Sequence, residues 1–376
     1  MTLSKPGQKR LVYLSPVSLS SFAQRPHHFV DWFHRRFDAE VVWIDPGPSR
    51  FPRWNDWRRV WGSRSLRSLG PSWAQAPWVQ RVQFPTLPLE PLRWGRWINR
   101  MLRQHDLAQL DAFVDENTWI VFGKPCDLAL ELCGRYPQAT TVFDVMDSMS
   151  AFSHGWASQW MATAEDELVR HSRWILTSST ALEARFAQYA PKVRKAMNGL
   201  SSPPALAPRS AAGAAPCVLG YVGLIASWFD WDAVIRLAKL ASNAEVWLIG
   251  PCECSVPSDL PSNIRLLPPI AHNAVYSAMQ DFSVGLIPFK VNALTEFVDP
   301  VKYYEYRALG LPVLSSCFGE MRQRSREDGV FFFEDLQDSV ALSTCLQHCT
   351  DAATSGAFCE THNWDAHFDT VDFFDR

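Results

Sequence analysis

The sequence lacks the features that would place it at once in several classes of protein. Its nine cysteines are irregularly spaced, and Cys252, Cys254, Cys345 and Cys349 do not have the spacing of a zinc site, which argues against a disulfide framework or a zinc finger. The formal net charge of -3 gives no strong field for nucleic acid. No apolar run approaches a membrane span, and the start MTLSKPGQKR lacks the apolar core of a signal peptide. We therefore expect a cytoplasmic protein.

Length and aromatic content are more informative. A chain of 376 residues exceeds the usual size of one hydrophobic core, so we expect two domains. Its seventeen tryptophans are more than core packing alone requires. We expect some of them to face a ligand or a lipid.

Short apolar runs rich in β-branched residues alternate with amphipathic segments in two parts of the chain. The sequence predicts an α/β fold with two doubly wound, Rossmann-like domains that face a central cleft. We expect these domains at residues 1–200 and 217–350, joined by a linker at 201–216 that is rich in Pro, Ala and Ser. A tail at 351–376 is expected to pack back on the first domain. Ligands of such sheets bind beyond the carboxyl ends of the strands.

The stretch VDPVKYYEYRALGLPVLSS at 298–316 predicts a capped helix followed by a strand. Asp299 is suited to cap the helix and Pro300 to occupy its first position, which leaves backbone N–H groups for an anion. Lys302 and Glu305 are three residues apart and share one helical face, so they would match a phosphate below a sugar diol. The alternative is a solvated ion pair.

Gly223, in GYVGLIASWFDWD, lies between a predicted strand and helix, where the backbone can approach a phosphate closely. The stretch lacks the G-x-G-x-x-G dinucleotide fingerprint, and a tight turn alone would also explain the glycine. Asp230 and Asp232 form a D-x-D string. We interpret it as helix capping, because one short pair supplies few of the oxygens that a divalent cation needs. No metal is expected.

Five acidic residues are candidates for a general base. Asp144 and Asp147 lie at the carboxyl end of the predicted strand TVFDV, although aspartates there also serve as helix caps. Glu165, Asp166 and Glu167 follow on the next helix. One of these three can point inward, and the periodicity does not indicate which.

Arg25, His27 and His28 crowd the segment after the first strand, again at the end of the sheet where ligands bind. Arg25 is suited to hold a phosphate with two hydrogen bonds, and a histidine to transfer a proton or simply to donate a hydrogen bond. We expect contact with a ligand here.

Residues 50–103 are rich in arginine and tryptophan and contain few acids. Such a set suits anionic lipid headgroups with interfacial tryptophans, or single-stranded nucleic acid, or internal packing of Arg on Trp. We expect an anionic membrane surface, and no nucleic acid. The set comprises Arg50, Arg53, Trp54, Trp57, Arg58, Arg59, Trp61, Arg64, Arg67, Trp94, Arg96, Trp97, Arg100 and Arg103.

Several of these motifs occur together in one family. GYVGLIASWFDWD, VWLIGP, GLIPF, TVFDVMDS and above all DPVKYYEYRALGLPV resemble bacterial GT-B glycosyltransferases of exopolysaccharide and teichuronic acid synthesis, including the glucuronosyltransferase type of xanthan synthesis. The resemblance implies a nucleotide-sugar donor, a UDP-sugar, held by the C-terminal domain. It implies a glycan or lipid-diphosphate-linked acceptor held by the N-terminal domain, at the inner face of the cell membrane.

The resemblance also implies roles for particular residues. Lys302 would neutralise diphosphate oxygens and Glu305 would accept hydrogen bonds from ribose hydroxyls, so that no metal or other cofactor is needed. The IASWFDWD segment has no basic residue and Glu296 lies nine residues before Glu305, which favours inversion over retention. The expected donor-binding residues are Gly223, Lys302, Glu305, Tyr306 and Asp299. The candidate bases are Asp147, Asp166 and Glu165, and the candidate acceptor or phosphate ligands are Arg25, His28 and Asp144.

Two other functions fit the same fold. A nucleotide-sugar epimerase would use the donor site without an acceptor. A noncatalytic protein would bind the nucleotide sugar and regulate a transferase.

Overall fold

The computed structural model describes residues 7–48, 70–149, 155–201, 217–348, 350 and 352–375. All but the first residue of the predicted linker lie outside this part of the chain. So do the arginines and tryptophans of the first half of the basic stretch, namely Arg50, Arg53, Trp54, Trp57, Arg58, Arg59, Trp61, Arg64 and Arg67.

Thirteen strands are present in the described residues. They are β1 (Arg10–Leu14), β2 (Glu40–Ile44), β3 (Val79–Val82), β4 (Thr118–Phe122), β5 (Thr140–Val145), β6 (Trp174–Thr177), β7 (Val193–Lys195), β8 (Val218–Val222), β9 (Glu245–Ile249), β10 (Ile264–Leu267), β11 (Val284–Ile287), β12 (Val313–Ser315) and β13 (Val330–Phe332).

Eleven α-helices accompany them in the same residues. They are α1 (Arg25–Phe37), α2 (Arg93–Asp111), α3 (Asp127–Arg135), α4 (Trp156–His171), α5 (Thr180–Arg185), α6 (Trp231–Leu240), α7 (Val275–Met279), α8 (Val301–Ala308), α9 (Ser339–Gln347), α10 (Ala352–Thr361) and α11 (Trp364–Asp369).

The strands form two separate sheets. The first has the order β3-β2-β1-β4-β5-β6-β7 and the second the order β10-β9-β8-β11-β12-β13. All pairs in both sheets are parallel. Each sheet reverses direction once, between β1 and β4 and between β8 and β11, which is the doubly wound topology. The predicted α/β class with two Rossmann-like domains is confirmed.

The chain divides into two compact units. Unit 1 contains the described residues of 1–178, 182–196 and 371–376, and unit 2 contains those of 179–181 and 197–370. The last residues of the chain therefore belong to unit 1, whereas α10 and α11 belong to unit 2. Phe373 stacks on Trp174, with ring centroids 4.8 Å apart, and Phe374 lies 5.3 Å from Trp119.

The central strands of both sheets are buried because helices cover both faces of a parallel sheet. Every residue of β4 and of β8 is buried. In unit 2 a glycine on β11, Gly285, leaves room for the ring of Tyr306, which a side chain at position 285 would overlap. This packing fixes α8 against the sheet and so positions the first turn of the helix.

Candidate functional site

Two glycines form the floor of a site at the carboxyl edge of the unit 2 sheet. Gly223 follows β8 with a φ of 149° and Gly250 follows β9 with a φ of 142°, values that side chains rarely adopt. The N–H of Gly223 donates to the carbonyl of Ile249 at 2.8 Å. A side chain on Gly250 would overlap the carbonyl of Gly223. Both positions therefore require glycine, and the backbone is open to close approach by a ligand.

Helix α8 begins beside this floor with Val301, and Pro300 is its N-cap residue. The predicted cap by Asp299 is wrong, since no side chain caps this helix. The Asp299 carboxylate instead accepts from the Asn198 N–H at 2.9 Å, the Tyr304 hydroxyl at 2.8 Å and the Arg324 guanidinium at 2.8 Å. With these partners Asp299 is buried and anchors the start of the helix, and its predicted contact with the donor has no exposed group to make it.

Lys302 lies on the first turn of α8 directly over Gly223. A methyl group on Gly223 would be 2.7 Å from both Cε and Nζ of Lys302. The ammonium is 5.5 Å from the ring centroid of Tyr221, within range of a cation–π contact. Burial lowers the pKa of Lys302, and Glu305 partly opposes this shift. Within the described residues Lys302 has no hydrogen bond or salt bridge, so its charge is available to an anion.

Glu305 is one helical turn further on and is also partly buried. Burial raises its pKa, while the nearby charges of Lys302 and His272 oppose the increase. The same carboxylate contributes to a raised pKa of Tyr276 on α7. No hydrogen bond to Glu305 occurs among the residues that the structure describes. Lys302 and Glu305 are thus two desolvated groups of opposite charge whose hydrogen-bonding capacity is unused.

The D-x-D string at the start of α6 has a structural role. Asp230 is the N-cap residue, and its carboxylate accepts from the N–H of Ala233 at 3.0 Å, as predicted. Asp232 is exposed. The described residues contain no group of three or more His, Cys, Asp or Glu side chains that could hold a metal ion.

Sequence reasoning overlooked two residues near the glycine floor. The hydroxyl of Ser316, at the carboxyl end of β12, is buried and has no hydrogen-bond partner in the described chain. Gly250 was part of a quoted motif, VWLIGP, but its need for a positive φ has no sequence signal apart from its place after a strand. Tyr306, expected to bind the donor, is completely buried, and its hydroxyl donates to the Gly220 and Leu286 carbonyls at 3.3 Å.

In unit 1, Arg25 and Asp144 are close together, but in the core. The guanidinium Nε is 3.0 Å from Oδ1 of Asp144, and the Tyr13 hydroxyl donates to Oδ2 at 2.9 Å. Arg25 also donates to the carbonyl of Ala196 at 2.8 Å. Arg25 is 4% exposed and Asp144 is 0% exposed. Their predicted contact with an acceptor or phosphate has no accessible group, because each charge neutralises the other inside the unit.

The two histidines beside Arg25 lie on the first turn of α1. His27 is buried, where its Nδ1 accepts from the N–H of Gln24 and its Nε2 donates to the carbonyl of Ser18, both at 3.2 Å. Burial lowers the pKa of His27 to about 4, so it is neutral at physiological pH. His28 is partly buried. Contact between His28 and an acceptor stays a prediction.

The three base candidates occupy different environments. Glu165 is the member of its acidic run that points inward, where it forms an ion pair with Arg185. Burial raises the pKa of Glu165, and Arg185 opposes the increase. Asp166 is exposed, and Asp147 is partly buried just beyond β5. Asp147 is thus the candidate at the carboxyl edge of the unit 1 sheet.

The comparisons with known proteins agree with this fold. No protein-family model matches the sequence, and no curated protein matches it either. Among solved structures, HepE from Anabaena with UDP-glucose superposes with a TM-score of 0.61 at 12% identity, covering 96% of this chain and 97% of HepE. The lipopolysaccharide outer core galactosyltransferase WaaB gives 0.61 at 11% identity, covering 98% and 100%. TarM gives 0.59 at 7% identity, covering 96% and 97%. At these identities the likeness shows the fold alone.

Proposed function

We propose that this chain is a glycosyltransferase that moves a sugar from a nucleotide diphosphate donor, a UDP-sugar, to a glycan or lipid-linked acceptor in polysaccharide synthesis. One observation carries the proposal: Lys302 and Glu305 are partly buried and have no hydrogen-bond partner in the described residues, beside a floor made by Gly223 and Gly250. A diphosphate over the floor and a ribose diol beside Glu305 would satisfy both groups. The structures of HepE with UDP-glucose and with UDP and glucose support a UDP-sugar as ligand of this fold.

In the proposed reaction the bond between the anomeric carbon and the diphosphate oxygen breaks, and a bond to the acceptor oxygen forms. Lys302 and the first N–H groups of α8 stabilise the charge that develops on the leaving diphosphate, the role that a metal ion has in other enzymes. A carboxylate takes the proton of the acceptor hydroxyl, and we propose Asp147 for it, with inversion at the anomeric carbon. Glu165 is less suited because Arg185 holds it.

The donor site is tested by titrating UDP into the parent, Lys302→Ala and Glu305→Ala. Each variant should lose a charge-assisted contact of roughly 1.5 to 3 kcal/mol, which weakens binding by about tenfold or more. Lys239→Ala and Glu245→Ala are matched controls, because Lys239 is exposed on α6 and Glu245 begins β9, at the opposite edge of the sheet. Equal affinity in all five proteins would return Lys302 and Glu305 to a solvated helix face.

Transfer itself is tested with UDP-glucose and a panel of acceptors. Asp147→Asn should abolish transfer and leave UDP affinity unchanged, since the base does not hold the donor. Release of an altered UDP-sugar without acceptor would identify an epimerase. UDP binding without any turnover would favour a noncatalytic regulator.

A further inference from the structure

A pocket in unit 1 remains without a role in the proposed reaction. It opens at the carboxyl ends of β1, β2 and β4 and beside the first turns of α4. Its wall is largely apolar, and includes Leu14, Pro46, Pro88, Leu128 and Met161. The carboxyl edge of a parallel sheet is the usual place for a ligand.

Two donor groups lie in this apolar wall. Lys124 is the only cation that lines the pocket, and it forms no salt bridge with any described residue. The indole N–H of Trp160 is buried and has no acceptor in the described chain. The carboxylate of Glu90, also in the wall, accepts only a long bond of 3.4 Å from the N–H of Asp127. A free ammonium and a free N–H in an apolar cavity favour an anionic ligand.

The rim next to the pocket is aromatic and exposed. The guanidinium of Arg96 on α2 lies 4.0 Å from the ring centroid of Trp160, which joins the start of α2 to the start of α4. Near this contact, Trp94 is 56% exposed, Trp97 is 63% exposed and Trp156 is 73% exposed. We call these three tryptophans the aromatic collar. Three exposed tryptophans around one contact form a surface that is suited to a membrane interface.

The charge on α2 has the sign that an anionic membrane requires. The first eleven residues of this helix, RWGRWINRMLR, contain four arginines and no acid. Arg103 is buried against Asp127 and Glu131, and Arg100 bridges to Asp127 at 2.7 Å, so these two are partly neutralised. Arg93 is exposed and unpaired among the described residues. In that part of the chain no helix is both long and apolar enough to cross a bilayer. Attachment would therefore be at the surface.

We propose that unit 1 docks on an anionic lipid bilayer through the aromatic collar, and that the adjacent pocket holds the phosphate-bearing headgroup of a lipid-linked acceptor. The tryptophan rings would lie at the level of the headgroups while the arginines neutralise lipid phosphates. Lys124 and the Trp160 N–H would bind the acceptor phosphate. The word acceptor rests on the proposed function, whereas the docking surface does not.

Docking is tested by sedimenting the full chain with vesicles of phosphatidylglycerol or phosphatidylcholine at low salt. The parent should bind the anionic vesicles, and Trp94→Ala/Trp97→Ala should bind at least about tenfold more weakly. Val340→Ala/Leu266→Ala is the matched control, because both residues are exposed apolar side chains of unit 2. Binding that is the same in all three proteins, or absent in the parent, overturns the docking surface.

The pocket is tested with dodecyl phosphate below its micellar concentration, followed by tryptophan fluorescence. Lys124→Ala should weaken this binding by about tenfold, and inorganic phosphate should bind the parent far more weakly than the alkyl ester does. Equal binding of dodecyl phosphate by parent and variant overturns the headgroup site. Equal binding of both phosphates would show a plain anion site and overturn the lipid assignment.

UDP titration of the same preparations separates this inference from the proposed function. All variants of unit 1 should bind UDP like the parent, since the donor site is in unit 2. A parent that binds vesicles and dodecyl phosphate but not UDP would refute the transferase and leave the lipid site in place.

Discussion

Replacing Gly223 by alanine tests whether the glycine floor sets the position of the Lys302 ammonium. The new methyl group would be 2.7 Å from Cε and Nζ of Lys302, well inside van der Waals contact. Because the end of a lysine side chain is flexible, we expect the ammonium to move rather than the backbone. The φ of 149° at this position is also unfavourable for alanine, so the free energy of unfolding should fall by about 1–3 kcal/mol.

The effect on binding follows from the lysine. A charge-assisted contact of roughly 1.5 to 3 kcal/mol corresponds to a loss of about tenfold to 150-fold in UDP affinity for Lys302→Ala. Gly223→Ala displaces the ammonium without removing it, so its loss should be near the lower end of that range. If both changes act on the same contact, Gly223→Ala/Lys302→Ala should bind no worse than Lys302→Ala alone.

The assay is calorimetric titration of UDP into the parent, the two single variants and the double variant, with urea unfolding of each. Gly329→Ala is the matched control, because Gly329 also has a positive φ, 73°, but precedes β13 at the opposite edge of the sheet. It should lose stability and keep UDP affinity. Independent losses that add in free energy in the double variant would refute the claim that Gly223 acts through Lys302.

Three further predictions concern pH, metal and the core of unit 1. Burial lowers the pKa of His27 from 6.5 to about 4, so the unfolded chain binds a proton that the folded chain does not. Stability should be full above pH 6.5 and fall by about 3 kcal/mol toward pH 4, and urea unfolding of His27→Gln should lack this slope. Transfer should persist in chelator because Lys302 and the start of α8 stabilise the diphosphate; complete loss that added Mg²⁺ reverses would contradict this. Asp144→Asn should cost about 3–5 kcal/mol in urea unfolding by leaving Arg25 buried without its counter-charge, whereas Asp31→Asn at an exposed pair should cost under about 1 kcal/mol; equal losses would refute this reasoning.

The central strands could be predicted from the sequence because a parallel strand that is buried on both faces is a continuous apolar run. β4 (TWIVF) and β8 (VLGYV) are of this kind. β3 (VQRV) was missed because it is an edge strand, and its middle residues are polar and exposed. β13, at the edge of the other sheet, has only three residues. Edge strands lack the burial that makes the inner strands visible in a sequence.

Helix α2 shows a different reason for failure. Its buried face has Gly95, Asn99, Arg103 and Leu107 at four-residue spacing, while two tryptophans lie on its exposed side. Asn99 exchanges hydrogen bonds with the backbone of Leu87 at 2.8 and 2.9 Å, which satisfies an amide in the core. An apolar periodicity search finds the wrong face of such a helix. The pattern is inverted because buried polar partners replace apolar packing.

The same distinction explains which parts of the candidate site could be predicted. Lys302 and Glu305 were found because a spacing of three residues places two side chains on one helical face, whatever the rest of the chain does. The partners of Asp299 are distant in sequence, since Asn198 precedes it by 101 residues and Arg324 follows it by 25. No local pattern records such a pairing.

Burial of charge also decides among the carboxylates. Asp144 and Glu165 looked equivalent to Asp147 in the sequence, because all three follow from strand and helix patterns that say nothing about arginines elsewhere. A carboxylate that is held by a guanidinium has a stabilised charge and no free lone pair directed at solvent, so it is a poor acceptor for a substrate proton. Arg25 and Arg185 remove Asp144 and Glu165 in this way. Asp147, partly buried and at the end of β5, keeps the combination of access and position that a general base requires.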